Sequence, residues 1–582
     1  MPRQLRVVVI VGALALAVVM AGLVLARVSG SGIPNAVMRR ASVLTARLHG
    51  EGSAPPSSVT LTIDPTHVLR PISPLIYGVA HAGPDELVAL GASLNRWGGN
   101  PNTRYNWEIG YAWNAARDYE FRNYGQDQSS PAQTDSSSDR FVAANREVGV
   151  ETELTVPAIG WVARNGDKQT RSVGVPDAGG PPRSATSEAI VGYDPTDNRQ
   201  RTSVPSFARK GAPFADPPDL TDGRVYQDEW IHHLVAQFGL ADRGGVRYYA
   251  VDNEPDLWSS THTDVHPVQT SYDDVLATFL DYATAIKSVD PGAKIAGPTL
   301  SGWTGYLYSA RDRGADNYRT HADRLAHGDT PFLPWWLAQV RAHDQQLGQR
   351  SLDVLDVHYY PQASGVFSAA DDPQTRGLRL RSTRALWDSS YVDESWIGEP
   401  VRLIPRLREW IEQYYPGTQL AIGEWSWGGE QSMSGALAVA DVLGIFGREG
   451  VDLATYWTFP PLKTPTAQAF AMYTHYDARG DAFGDRAIAA SADASADYVT
   501  TYASLDSASG DVVVVVINKR ADADLPATIH LNGVSVSSAQ VYRLDATDAT
   551  IQDTGTAPVN GSDVNLVLRP MSITLVRVQN RI

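Results

Sequence analysis

A chain of 582 residues that is 43% hydrophobic and 20% charged can bury a large core, has material for roughly two to four domains, and is not a disordered polymer. Its net charge of −16 disfavours nucleic acid, whose phosphates require a positive face, and suits a neutral substrate that needs no steering charge. The absence of cysteine excludes disulfides, a thiolate nucleophile and Cys-ligated zinc.

At the N-terminus Arg3 and Arg6 precede an uncharged apolar run from Val7 to Ala26, closed by Arg27. A run of this length can cross a bilayer as a helix, and the basic start also fits a signal peptide. Residues 1–30 are therefore read as a signal peptide or signal-anchor helix of an extracellular protein, either secreted or tethered to the cell membrane by this segment alone. Residues 31–58, rich in Ser, Gly, Pro and Ala, read as a flexible stem. Val59-Thr-Leu-Thr-Ile63 alternates like a strand, and residues 59–75 are expected to join a C-terminal sheet.

From 76 to 467 one theme recurs: a short β-prone run, a polar loop, an amphipathic helix. The runs are Ala92–Arg96, Glu151–Val156, Val246–Val251, Lys294–Gly297, Val354–His358, Leu420–Gly423 and Leu453–Trp457. The helices include Asp228–Phe238, Tyr272–Val289, Trp335–Gln345, Arg402–Tyr414 and Gly435–Phe446. Such alternation implies an α/β fold with a parallel sheet, and the number of units fits a (β/α)8 TIM barrel. A doubly wound open sheet is the alternative, but the Gly-rich phosphate turn it usually carries is missing. Gln126–Asp139 and Trp161–Thr221 read as long surface loops. From 468 to 582 the texture changes to short strands split by turns, at Val499–Ala503, Val512–Ile517, Ala527–Leu531, Val541–Leu544, Val564–Leu568 and Ile573–Val578, which indicates a β-sandwich domain.

Two glutamates stand where barrel chemistry is expected, at the C-terminal ends of strands. Glu254 lies in Val251-Asp-Asn-Glu-Pro255. Glu424 lies in Leu420-Ala-Ile-Gly-Glu-Trp-Ser-Trp-Gly-Gly429, 170 residues later, a gap that admits three further βα units. Paired carboxyl groups on two strands suit glycoside cleavage through a covalent intermediate, one as acid/base and one as nucleophile. Asn253 is positioned to reach a sugar hydroxyl. Arg96, His358 and Tyr360 lie at other strand ends, where a cation and a phenol would keep Glu424 ionised. Flat rings stack on sugars and also fill cores. Trp107, Trp258, Trp425, Trp427 and Trp457 are the candidates for an open groove, with at least two expected to line it. Asp252 is read as structural. His262, Asp264 and His266 have a metal-like spacing but sit in loop-like sequence without an HExxH pattern.

These residues resemble glycoside hydrolase family 44, the bacterial endoglucanase/xyloglucanase family. The resemblance is carried by Asn95-Arg-Trp-Gly-Gly-Asn100 with Thr103-Arg-Tyr-Asn-Trp-Glu108, Tyr249-Ala-Val-Asp-Asn-Glu-Pro-Asp-Leu-Trp258 with Thr261–Pro267, Leu355-Asp-Val-His-Tyr-Tyr-Pro361, Gly423-Glu-Trp425 with Gly428-Gly429, and Asp441–Asp452. It implies a barrel with a β-sandwich, a retaining endo-β-1,4-glucanase or xyloglucanase acting on β-glucan polysaccharide, Glu254 as acid/base and Glu424 as nucleophile. No cofactor is expected for catalysis, and the chain is expected to act as a monomer. Members of the family can carry a bound structural calcium, and its ligands in this chain are unknown. This chain departs from the family at Gly423, where Thr is common, and is expanded around Ala212–Gly223; both departures bear on subsites. A transglycosylase on the same scaffold, or a non-catalytic surface carbohydrate-binding protein, are the competing readings.

Overall fold

The computed structural model describes residues 55–114, 122–125, 137–166, 199 and 202–580. The apolar segment Val7–Ala26 and nearly all of the stem lie outside these residues. So do residues 126–136 and most of the interior of the Trp161–Thr221 insertion. Among the described residues no helix is long and apolar enough to cross a membrane.

Eight parallel strands close a barrel. In chain order they are Gly78–Ala80, Leu94–Trp97, Glu151–Val156, Tyr248–Val251, Lys294–Leu300, Val354–Tyr359, Gln419–Trp425 and Leu453–Tyr456, and the last pairs with the first. Closure excludes the open doubly wound sheet. Side chains on a strand alternate between two faces, and here both faces are buried. One set (Leu94, Tyr248, Ala250, Ala296, Val354, Ala421 and Leu453) fills the barrel floor. The other, with Leu355, Val357, Leu420 and Ile422, packs against the surrounding helices. Above the floor the interior becomes polar, with Arg96, Glu153, Asp356, His358 and Glu424 all buried.

The helices carry their own stops and starts. Tyr272–Val289 begins at a reciprocal capping box between Ser271 and Asp274, which satisfies two of the otherwise orphaned N–H groups of the first turn. The first barrel strand has only three residues, too short for its pattern to be read from sequence. It passes so close to the last strand that a Cβ at Gly78 would lie 2.4 Å from the Ala454 carbonyl oxygen.

The C-terminal region is a ten-stranded sheet. Val59–Pro71 lies within it, antiparallel to Arg486–Ala492 and parallel to Leu525–Leu531. Alternate residues such as Val59, Leu61, Ile63, Val514, Ile529 and Val576 enclose a second core. Three strands had no sequence signal, namely the Ala/Ser-rich Arg486–Ala492, the polar, exposed Asp548–Thr556 and the two-residue Val559–Asn560. The helix Pro465–Thr474 crosses the boundary drawn at 467, and it packs on the barrel helix Met433–Glu449.

That barrel helix is the joint between the two parts. It bears on strands Val499–Leu505, Val512–Asn518 and Ser572–Asn580 of the sheet. Gly444 allows the contact, since a Cβ there would sit 2.3 Å from the Tyr502 ring. At the centre Asp441 pairs with Lys519 at 2.8 Å, each side chain 1% exposed. Thr383, Thr500 and Tyr502 donate hydrogen bonds of 2.6 Å to the same carboxylate. Removing one partner of such a pair strands a buried charge. Lys519→Ala is therefore expected to lower unfolding free energy by about 3–5 kcal/mol. Asp441→Asn/Lys519→Met, which removes both charges and keeps an amide oxygen as acceptor for the hydroxyl donors, should recover much of it. Urea unfolding of the two variants checks this, and equal losses would show that the ion pair does not hold the joint.

Candidate active site

The site forms where the C-terminal ends of the second, fourth, sixth and seventh barrel strands converge. Arg96, the third residue of the second strand, is fully buried. It directs Nη1 to Glu424 Oε1 at 2.7 Å and Nη2 to Asn253 Oδ1 at 2.9 Å. Two residues on, position 98 is closed to a side chain, because a Cβ at Gly98 would lie 2.4 Å from the Arg96 guanidinium carbon. His358 presents Nδ1 to Glu254 Oε1 at 3.0 Å and to Glu424 Oε2 at 3.5 Å. The Tyr360 hydroxyl donates to Glu424 Oε2 at 3.0 Å. One ligand atom from each of Glu254, His358 and Glu424 lies within 4.8 Å of the others, so the two carboxyl groups face each other across one opening.

The turn after the fourth strand is unusual. Asp252 and Glu254 have positive φ, +61° and +45°, a region that L-residues enter only when surroundings over-determine it. Asp252 supplies that constraint. Its carboxylate accepts from Thr103 Oγ1 at 2.7 Å, from Asn253 N at 2.7 Å, from Ile159 N at 2.9 Å, and from Ala158 N. Its structural reading is thus supported by contacts. Asn253 also donates Nδ2 to Asn100 Oδ1 at 3.1 Å, and the turn is held from behind by Trp258 Nε1 donating to the Asn253 carbonyl at 3.1 Å.

The two carboxyl groups differ in environment. Burial pushes Glu254 up, and the nearby Glu424 charge adds to this, against the hydrogen bond from His358. Burial acts on Glu424 in the same sense, but the charges of His358 and Arg96 and the hydrogen bonds from Arg96 and Tyr360 outweigh it and hold Glu424 below the ordinary carboxylate range. For His358, burial is outweighed by Glu424 and the Glu254 hydrogen bond, so its value rises. One glutamate is thus set to hold a proton and the other to stay ionised.

A cleft of about 360 Å³ opens above the pair, lined by Gly99, Asn100, Pro101, Asn253, Glu254, Glu424 and Trp457. Trp457 is the one expected aromatic that reaches it. Trp107, Trp258, Trp425 and Trp427 are at most 4% exposed, so the expectation of groove rings fails for these four. The reasons are local. Trp425 follows inward-facing Glu424 and so points outward, against Phe446, Tyr456 and Phe470. Trp427 donates Nε1 to Ser382 Oγ at 2.9 Å, and Trp107 donates to the Tyr226 carbonyl at 3.1 Å. Two exposed rings were missed. Phe367, 53% exposed, packs edge-on to Tyr360 at 5.2 Å. Trp396, 51% exposed, donates to Gln362, whose amide donates to the Tyr360 carbonyl. Their signal was loop position beyond the His358-Tyr-Tyr360 strand end, not any pattern of their own.

The metal-like spacing of His262, Asp264 and His266 does not become a compact ligand set among the described residues, and Asp264 is engaged by Arg104 at 2.8 and 2.9 Å and by Trp113 at 2.8 Å. Among the described residues the grouping compact enough for a cation is Glu254, His358 and Glu424. Calcium prefers six to eight oxygen ligands, and the Arg96 cation already occupies Glu424. These residues do not fit calcium.

A closed parallel barrel with two unequal, facing glutamates at its strand ends has the architecture of a glycoside hydrolase. The profile of glycoside hydrolase family 44 matches residues 112–363. Endoglucanase A of Paenibacillus lautus is 34% identical over 551 residues, covering 91% of this chain and 74% of that protein. CelM2, a bifunctional glucanase-xylanase from a metagenome library, superposes with a TM-score of 0.77 at 38% identity, covering 90% of this chain and 99% of that one. A Paenibacillus polymyxa xyloglucanase of family 44, solved with xyloglucan, superposes with a TM-score of 0.78 at 29% identity over 90% and 99% of the two chains. The chain belongs to glycoside hydrolase family 44.

The departure at Gly423 has a cause in the structure. Its N–H donates to Asp356 Oδ1 at 2.9 Å, and a Cβ there would lie 2.4 Å from the same oxygen. The position is closed to Thr in this arrangement of the barrel interior. Gly423→Ala is expected to destabilise the fold by about 1–3 kcal/mol through overpacking and to disturb the Glu424 strand. Denaturant midpoints check this, and an unchanged midpoint would mean that Asp356 moves aside freely.

Proposed function

We propose that the chain is a retaining endo-β-1,4-glucanase or xyloglucanase that hydrolyses β-glucan polysaccharide through a covalent glycosyl-enzyme intermediate. The observation that carries this is the short, unequal carboxyl pair. Retaining enzymes hold their carboxyl groups about 5–5.5 Å apart, whereas inverting ones leave a wider gap for water. Oxygens of Glu254 and Glu424 within 4.8 Å favour direct attack.

In the first step a Glu424 oxygen bonds to the anomeric carbon as the glycosidic C–O bond breaks. Glu254 gives its proton to the departing oxygen. Negative charge thereby moves from Glu424, now an ester, to Glu254. In the second step Glu254 takes a proton from water, the water oxygen attacks the anomeric carbon, and the ester bond breaks with its electrons returning to Glu424. Both transfers stay within one charge inventory, and Arg96 accompanies Glu424 throughout. Asn253 keeps a second Nδ2 hydrogen for a sugar hydroxyl. The relatives named above, an endoglucanase, a glucanase-xylanase and a xyloglucanase, support a β-glucan or related chain as substrate.

Glu424→Ala should abolish turnover of every substrate, by on the order of 10⁴-fold or more. Glu254→Ala should still cleave aryl glycosides whose leaving groups need no proton, with slow deglycosylation that azide accelerates. The product should be the β-azide. An α-azide from the Glu254 variant, or a β-azide from the Glu424 variant, would reverse the two roles.

Chain binding is proposed to use Trp457 within the cleft and the exposed rings of Phe367 and Trp396 beyond it, since flat aromatic faces pack on the apolar faces of sugars. Trp396→Ala is expected to raise KM for polymeric glucan several-fold while leaving kcat on an aryl cellobioside unchanged. Equal effects on both substrates would place Trp396 outside the substrate path.

A further inference from the structure

Beneath the catalytic pair the barrel holds two carboxyl groups that the reaction does not use. Glu153, on the third strand, is paired in register with Arg96 of the second. Asp356, on the sixth strand, sits two residues before His358 and accepts from Gly423 N. Both are buried, at 2% and 0% exposure. Glu153 Oε1 and Asp356 Oδ2 are each buried without a hydrogen-bond partner. Buried polar side-chain atoms nearly always have a partner, and an unpartnered buried oxygen costs more on an anion than on a neutral acid, so an orphaned oxygen on each of two buried carboxyls argues against two anions.

The charges facing the pair lead to the same result. They are Arg96, His358 and Glu424, besides each other. His81, which also faces Arg96 and Glu424, is pushed below its ordinary value by burial and adds no cation. Asp252 and Asp256, further round the barrel mouth, bring only more negative charge, and both have their own donors. With Glu254 protonated and Glu424 ionised, Arg96 and a charged His358 compensate Glu424 and at most one further anion. Two ionised carboxylates would leave uncompensated charge in a water-excluded interior, which a carboxyl group avoids by taking a proton.

We propose that Glu153 and Asp356 hold one proton between them at the pH at which the enzyme works, and that this fixes the charge beneath Arg96 and hence the ionisation of Glu424. Neither residue reaches the cleft lining, so both are positioning residues that act through Arg96 and His358. Burial, reinforced by the charge of Asp356, pushes Glu153 up to about 7, and burial raises Asp356 as well. Glycosylation shifts one negative charge from Glu424 to Glu254 and leaves the total unchanged, so the shared proton stays in place through both steps. The inference rests on the roles proposed for Glu254 and Glu424.

The test is the acid limb of the pH profile of kcat/KM in Glu153→Gln, Asp356→Asn and the double variant. A single shared proton predicts that each single variant keeps the wild-type acid limb, because the remaining carboxylate still carries one negative charge. The double variant loses that charge, and its acid limb should move down by roughly one pH unit. A downward shift in both single variants would mean two ionised carboxylates. No shift in any variant would mean two protonated ones or no coupling. Either result overturns the proposal. Neutron diffraction of the deuterated wild-type enzyme near its pH optimum gives a readout independent of folding and of the catalytic roles. One deuteron on the Glu153–Asp356 pair is expected, and none or two would contradict it. A deuteron on the pair combined with failure of the azide experiment would locate the error in the roles of Glu254 and Glu424 instead.

Discussion

A fully buried guanidinium is the constraint on which the rest of this site depends. Arg96 has no exposure to water, and an arginine cannot shed its charge. It is stable inside the barrel only while anions and oriented dipoles surround it. The Glu424 carboxylate and the Asn253 amide oxygen meet that need from the seventh strand and from the turn after the fourth. The same two contacts therefore set where the nucleophile candidate lies, keep it ionised, and bring the turn that carries Glu254 opposite. Geometry and protonation have one physical origin.

Much of the surrounding structure reads as support for that arrangement. The left-handed turn at Asp252 and Glu254 is held by four donors to one carboxylate. Glycine stands at 98 and at 423 because Arg96 and Asp356 fill the space a side chain would take. Trp258 braces the turn from outside the cleft. The buried Asp441–Lys519 pair repeats the principle at the joint between barrel and sheet, where a charge on one element requires its partner on the other.

The barrel was legible because its strands and helices alternate with clear periodicity, and most runs fall within a residue or two of the observed strands. Glu151–Val156 and Tyr272–Val289 coincide with their elements. The three-residue strand Gly78–Ala80 left no pattern to read, and Asp548–Thr556 is an exposed polar strand whose sequence resembles a loop. Among the site residues, Arg96, Asn253, Glu254, His358, Tyr360 and Glu424 could be found because each ends a strand. The tryptophans could not be sorted. Sequence shows that Trp425 follows Glu424 but carries no record of which side of a strand meets helices. Unbroken alternation from inward-facing Ala421 would have turned Trp425 inward, and the register shift at Gly423 reverses it. Phe367 and Trp396 lie in loops, where exposure depends on tertiary placement that no local pattern encodes.

The central claim is that Glu424, held ionised by Arg96, bonds to the sugar during turnover. An activated 2-deoxy-2-fluoro-β-cellobioside slows both steps by destabilising the positive charge that develops at the anomeric carbon, and a good leaving group lets the first step proceed. Incubation should inactivate the enzyme with one equivalent of adduct, and peptide mass spectrometry should locate it on Glu424. An adduct on Glu254, or turnover with inversion of the anomeric centre and no adduct, would contradict the account.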